Sequence, residues 1–294
     1  MVVKTSQNEN FAEVDVDVGE VATPHSFTGR MCAGSRWEEH VRKDRLFTDP
    51  LAFSLAGPSG RRQPMGAWIL VPRTRFGDDL LYDRYENHGA RQLVLLGAGF
   101  DSRAYRMPGL EELKVFEVDQ KTTFDVKERI LKGGKAGTPA LLTQSRHVVA
   151  TEFDQSGRDW CKDLLDSGFD PAVPTVWLLE GLMMYLTPSD GRRLMRDVGK
   201  LSAPKSVVFH DGCSHAYIAE GVRVAGAPFV GGSDNYAAEW KNEGGFDQGV
   251  QVYDFSRDIK VDRKAQKLHV SQRGGATPQR CQGNLLVLFV VAEK

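Results

Sequence analysis

A chain of 294 residues suffices to bury one large α/β core, and its 38 basic against 39 acidic residues argue against a charge-driven nucleic-acid partner. Its four cysteines, Cys32, Cys161, Cys213 and Cys281, lie far apart without CxxC or Cys/His ligand spacing, which argues for reduced thiols in a cytoplasmic protein and against a bound metal. The longest apolar run near the C-terminus, Leu285 to Ala292, is too short to span a membrane, so no membrane partner is expected.

Residues 1–23 carry Glu9, Glu13, Asp15, Asp17 and Glu20 without the basic-then-apolar layout of a signal peptide. They read as a mobile acidic arm, although the alternation Val14-Asp15-Val16-Asp17-Val18 also suits a short edge strand. Residues 34–88 read as mainly helical, with breaks at Asp49-Pro50, Gly57-Pro58 and Gln63-Pro64, because proline disfavours helix at the residue before it.

From Arg91 the pattern changes to alternating strands and helices. Strands are predicted at 91–96, 114–118, 146–151, 175–180 and 205–211, with helices at 101–107, 120–132, 156–167 and 189–202. That alternation predicts a doubly wound, parallel sheet. Residues 264–272 and 284–292 are predicted to close the sheet. The second of these is continuously apolar, as suits a strand covered on both faces. Between strand five and these lies a glycine-rich stretch, 212–255, read as an irregular substrate lid.

The first predicted strand ends in Gly97-Ala98-Gly99, and the second ends in acid at Asp119. Glycines allow close backbone approach to a ligand, and a carboxylate there accepts hydrogen bonds from ribose hydroxyls. A dinucleotide site favours a third glycine, but Ser102 stands there with Asp101 before it. A carboxylate repels a pyrophosphate and tolerates a sulfonium. The motif therefore favours S-adenosylmethionine over NAD, with an NAD-dependent oxidoreductase as the competing class. No convincing Tyr-x-x-x-Lys supports that competitor.

Several segments in order resemble the leucine carboxyl methyltransferase family, in particular its bacterial-type branch of S-adenosylmethionine-dependent methyltransferases. They are SRWEEHVRKDRLFTDPLA at 35–52, RTRFGDDLL at 73–81, QLVLLGAGFDSRAYR at 92–106, VFEVD at 115–119, Val149 through Phe153, and WLLEGLMMYL at 177–186. The resemblance implies a class I methyltransferase-like fold: a mostly parallel seven-stranded sheet with an N-terminal helical extension and an inserted lid. Within one domain over 24–294, it implies a helical cap (24–90), a cofactor-binding core (91–211), the lid (212–255) and closing strands (256–294).

The resemblance also implies site roles. Gly97 and Gly99 would pass under the cofactor, Asp119 would hold the ribose, and Arg73 would hold the cofactor's carboxylate, with Arg75 as an alternative and Arg36 as a second basic anchor. Glu152-Phe153 would receive adenine, with Asp154 in competition for that role. Glu180 would face the methionine amino group, while Glu117 would act as a support. Tyr185, five residues after Glu180, would touch the transfer centre or the substrate. If the acceptor is a phenol or alcohol, a base such as His210 or His215 is attractive; a carboxylate acceptor needs none. The expected activity is O-methylation of a small-molecule carboxylate or hydroxyl, with a protein C-terminal carboxyl group as the alternative acceptor.

Overall fold

The computed structural model describes residues 24–133, 138–151, 159–271 and 286–294. The predicted arm at 1–23 lies outside them.

Three helices precede the sheet: α1 (Pro24–His40), α2 (Ala52–Arg62) and α3 (Ala67–Asn87). The proline pairs punctuate them as expected. Asp49-Pro50 leads into α2 and Gln63-Pro64 separates α2 from α3. At Gly57-Pro58 the helix kinks, with Gly57 at φ +59°. Apolar residues Ala33, Leu55 and Ala56 of this cap pack on Phe100, Val126 and Ile130, which anchors it beside the sheet.

The core follows as β1 (Gln92–Leu96), α4 (Arg103–Arg106), β2 (Leu110–Asp119), α5 (Lys121–Lys132), β3 (Thr143–Ala150), α6 (Trp160–Asp166), β4 (Thr175–Leu179), α7 (Pro188–Lys200) and β5 (Val207–Cys213). The remaining elements are α8 (His215–Ala219), β6 (Arg223–Val224), β7 (Ala227–Pro228), α9 (Tyr236–Glu239), β8 (Gly249–Asp254), α10 (Phe255–Asp258), β9 (Ile259–Asp262), β10 (Lys267–Val270) and β11 (Val287–Glu293).

Seven strands form one sheet in the order β3-β2-β1-β4-β5-β11-β8. Strands β1 to β5 pair in parallel, and β11 runs antiparallel to both neighbours. This is the mostly parallel α/β fold the sequence predicts. The chain winds outward from β1 to β3, then returns to β4 on the other side of β1. That reversal places a crevice at the carboxyl ends of β1 and β4, where open α/β sheets bind ligands.

Both faces are covered, which explains the unbroken apolar runs of β1 and β4. On one face Val94, Leu96, Trp177 and Leu179 pack with Trp160, Leu164, Leu194 and Val198. On the other, Leu93, Leu95, Val176 and Leu178 pack with Leu81 of α3.

One expectation is corrected. Residues 264–272 do not close the sheet: β10 pairs with β9 in a separate antiparallel ribbon. The edge position belongs to β8, inside the stretch read as an irregular lid. Gly244, Gly245 and Gly249 crowd this short strand, and its partner β11 arrives from far along the chain. Local pattern therefore carried little sign of it.

Candidate active site

The carboxyl ends of β1, β2, β4 and β5 open into a cavity of about 600 Å3. Its walls come from α1, the start of α3, the loops after β1 and β4, and residues 217–229. Gly97, Gly99, Asp119, Arg73, Arg36, Glu180 and Tyr185 all line it, so most predicted site residues converge.

Immediately after β1 the backbone turns left-handed, with φ of +71° at Gly97 and +49° at Gly99. Side chains are strained in that region, and a Cβ on Gly97 would lie 3.3 Å from the Leu182 side chain. The amides of Gly97 and Ala98 donate to the Val118 carbonyl at 2.9 and 3.1 Å, tying the turn to β2. Asp119, the last residue of β2, accepts from the amides of Gly99 at 2.7 Å and Gln120 at 2.6 Å. Burial pushes its carboxyl up, while these amides and the Thr123 hydroxyl pull it back. Each carboxylate oxygen retains acceptor capacity for a ligand hydroxyl.

Opposite this turn lies a dense charge network. Arg73 Nη1 donates to Asp211 at 2.7 Å, and its Nε lies 3.6 Å from Glu180. That Nε is buried and makes no hydrogen bond. Burial opposes the Arg73 charge, but Asp211, Cys32 and Glu180 outweigh it and hold the guanidinium protonated. Arg103 joins three acids, Asp101 at 2.5 Å, Glu180 at 2.6 Å and Asp78 at 2.8 Å. Arg106 pairs with the same Asp78 through both terminal nitrogens, each at 2.7 Å. Burial pushes Asp101 up, yet the surrounding cations, Arg103 foremost, bring it down to about 2. For Glu180 burial wins, and its carboxyl is raised despite Arg103 and Arg73.

Arg36 is engaged within the protein. It pairs with Asp49 at 2.7 Å and donates to the Phe100 carbonyl at 2.5 Å, clamping α1 onto the glycine turn. Ser102 reinforces the clamp by donating to Asp49 at 2.6 Å. Tyr185 lies in a single 3-10 turn after β4 and meets Phe229 edge-on at 5.1 Å. It shares a hydrogen bond with Thr28, and burial raises its phenol.

Other predicted residues fall elsewhere. Arg75 pairs with Asp79 at 2.7 Å on the outer side of α3, and His215 is exposed beside Asp234. Glu117 holds Lys127 and Arg146 at 2.7 Å each, a buried structural cluster. Glu152, Phe153 and Asp154 lie outside the described residues. Among the described residues no group of His, Cys, Asp or Glu is arranged to hold a metal ion, and no helix is long and apolar enough to cross a membrane.

His210 is not brought to the cavity. Successive strand residues face opposite ways, so Asp211 meets Arg73 while His210 enters the core beneath Trp240. The indole Nε1 donates to His210 Nε2 at 2.9 Å. Burial pushes the imidazole down to about 4, against an ordinary value near 6.5. The unfolded chain therefore binds this proton first. Its stabilising contribution is complete above about pH 6.5 and is lost as pH falls toward 4, to the extent of about 3 kcal/mol. Urea titrations at pH 7 and pH 4.5 should show a smaller acid loss in His210→Gln than in the natural chain. Equal losses would reject the assignment.

Sequence reasoning missed Asp78, Asp101, Arg103, Asp211 and Asp49 as members of this network. Asp211 carried a usable signal, since it ends a parallel strand as Glu180 does. Arg103 sat in plain view within the tail of the glycine motif.

A sequence profile described as leucine carboxyl methyltransferase matches residues 30–199, more than half the chain. The chain belongs to the leucine carboxyl methyltransferase family. Two bacterial relatives carry the name "putative S-adenosyl-L-methionine-dependent methyltransferase". One, from Parafrankia, is 39% identical over 60% of this chain and 61% of its own length. The other, from a Mycobacterium strain, is 30% identical over 85% of this chain and 84% of its own. The chain thus spans under two thirds of the first family relative and most of the second. A crystal structure from Thermobifida fusca, titled a putative methyltransferase, shares the fold with a TM-score of 0.51 at 13% identity, covering 90% of this chain and 94% of that one.

Proposed function

We propose that this family member is an S-adenosylmethionine-dependent methyltransferase acting on an oxygen of a small molecule. One observation carries the reading: the left-handed Gly97–Gly99 turn, the Asp119 carboxylate and an Arg73 whose buried Nε makes no hydrogen bond line one cavity at the sheet's switch point. The residues suit the cofactor chemically. Asp119 would accept from the ribose hydroxyls, and the Arg73 Nε would donate to the carboxylate. Glu180 would face the amino group and, with Asp101, set a negative field around the sulfonium. The relatives' names support the same cofactor.

When bound, the cofactor supplies an electrophilic methyl group with a neutral thioether as its leaving group. The protein's task is to align the acceptor oxygen and exclude water, and such alignment supplies several kcal/mol, at best roughly 7–11. Tyr185, Leu182 and the loop after β4 would form the wall between cofactor and acceptor. The cap at 24–90 and residues 217–229 would enclose the acceptor. Free Cys32, Cys161 and Cys213 support a reducing, cytoplasmic setting.

Isothermal titration with S-adenosylmethionine and, separately, S-adenosylhomocysteine tests the reading. Binding with a dissociation constant of roughly micromolar order is expected. Folded protein that binds neither would overturn it. A labelled-methyl assay against carboxylates, phenols and a peptide ending in leucine would then separate small-molecule from protein acceptors.

A further inference from the structure

The cavity lining is of two chemical kinds. Its charged lining gathers around the glycine turn and the Arg73–Arg103 network. The rest of the lining includes Met65, Trp68, Ile69, Leu186, Val222 and Phe229, with Met184 and Tyr217. None of these carries a formal charge. Residues 222–229 are held there by the amides of Val230 and Gly231, which donate to the Met184 carbonyl at 2.8 and 3.0 Å. Gly231 passes so close that a Cβ would lie 2.4 Å from the Met183 carbonyl oxygen. This apolar wall is therefore built into the fold and fastened to the turn that carries Tyr185.

Across the cavity, the described lining residues include three cations, Arg36, Arg73 and Arg103, and four carboxylates, Asp101, Asp119, Glu180 and Asp211. Each arginine is already paired with acids: Arg36 with Asp49, Arg73 with Asp211, and Arg103 with Asp78, Asp101 and Glu180. The Arg73 Nε, which makes no hydrogen bond, is assigned to the cofactor's own carboxylate under the function proposed above. No lining cation among the described residues then remains to receive a second carboxylate. An ionised acceptor packed against the apolar part of the lining would lose its hydration without gaining a partner, in a cavity whose charged lining is net negative.

We infer that the acceptor is an uncharged, largely apolar aromatic hydroxyl compound rather than a carboxylate. Its hydroxyl oxygen would take the methyl group as the sulfonium C–S bond breaks, while its proton passes to solvent or to a lining carboxylate. Trp68, Tyr217 and Phe229 supply rings for edge or face contact with such a molecule, and Met65 and Met184 supply adaptable apolar surface. The inference rests on the methyltransferase reading, but it concerns a separate part of the lining and is measured by equilibrium binding.

The probes are 2-naphthol and 2-naphthoate, which share a ring system and differ in charge. The full chain is first titrated with S-adenosylhomocysteine. Failure at that step rejects the methyltransferase reading itself and this inference with it. Saturated protein is then titrated with each probe at pH 7. The expected result is that 2-naphthol binds at least about tenfold more tightly than 2-naphthoate. Equal or tighter binding of 2-naphthoate would overturn the inference, as would binding of neither probe while S-adenosylhomocysteine binds normally. One variant adds an arm to the test that does not disturb the core. Val224→Lys places a cation on the half-buried hairpin in this part of the lining and should tighten 2-naphthoate roughly tenfold while leaving S-adenosylhomocysteine affinity unchanged. An unchanged 2-naphthoate affinity would show that the probe does not sit there.

Discussion

Replacing Arg103 with methionine is expected to destabilise the protein by about 3–5 kcal/mol, the usual loss when one partner of a buried ion pair is removed alone. Arg103 is almost wholly buried and links Asp78, Asp101 and Glu180, which come from α3, the glycine turn and the end of β4. Methionine fills comparable space but leaves these carboxylates with only the more distant charges of Arg106, Arg73, Arg36 and Lys127. Asp101 should move up from about 2, since Arg103 is the largest of the cations that hold it down. Glu180, already raised by burial, should rise further. Urea denaturation at pH 7 measures the loss of stability, and a change below about 1 kcal/mol would show that the network is dispensable. Arg103→Lys should recover only part of it, because an ammonium cannot serve three acids from a planar fork.

Asp119→Ala should weaken S-adenosylhomocysteine binding by about 1.5–3 kcal/mol, roughly ten- to a hundredfold, as expected for hydrogen bonds to a charged acceptor. The carboxylate does two jobs: it would receive ribose hydroxyls, and it pins the glycine turn through the Gly99 amide at 2.7 Å. Asp119→Asn separates them. An amide oxygen still accepts from Gly99 but brings no charge, so Asn should fall between the natural residue and Ala. Isothermal titration gives both values. Unchanged affinity in Asp119→Ala would remove this residue from the site and with it the main support for a nucleoside ligand. The two substitutions also differ in kind, since Asp119 sits at the cavity edge and its removal should leave urea stability much closer to natural than Arg103→Met does.

The convergence of Gly97, Gly99, Asp119 and Glu180 was legible because each follows from strand logic. A parallel strand covered on both faces favours an unbroken apolar run, as in β1 and β4, so the first glycine or acid after it marks the carboxyl end, where ligands bind. The role of His210 was not legible. Whether a strand residue faces cavity or core depends on which side its alternating register presents, and Asp211 and His210 exchange fates with a shift of one residue. The acids that surround Arg103 could not be assembled either, since Asp78, Asp101 and Glu180 meet only once α3 packs across the sheet.

By itself the sequence determined the alternation of strands and helices from β1 to β5, the proline breaks of the cap and the glycine–acid pair that lines the cavity, because these depend on local periodicity and backbone sterics. Tertiary structure alone decided that Gly249–Asp254, not 264–272, forms the sheet's edge, and that the cavity's arginines are paired with acids before any acceptor enters. Edge pairing and ion pairing join residues far apart in the chain, and their energies depend on distance and burial that no local pattern encodes.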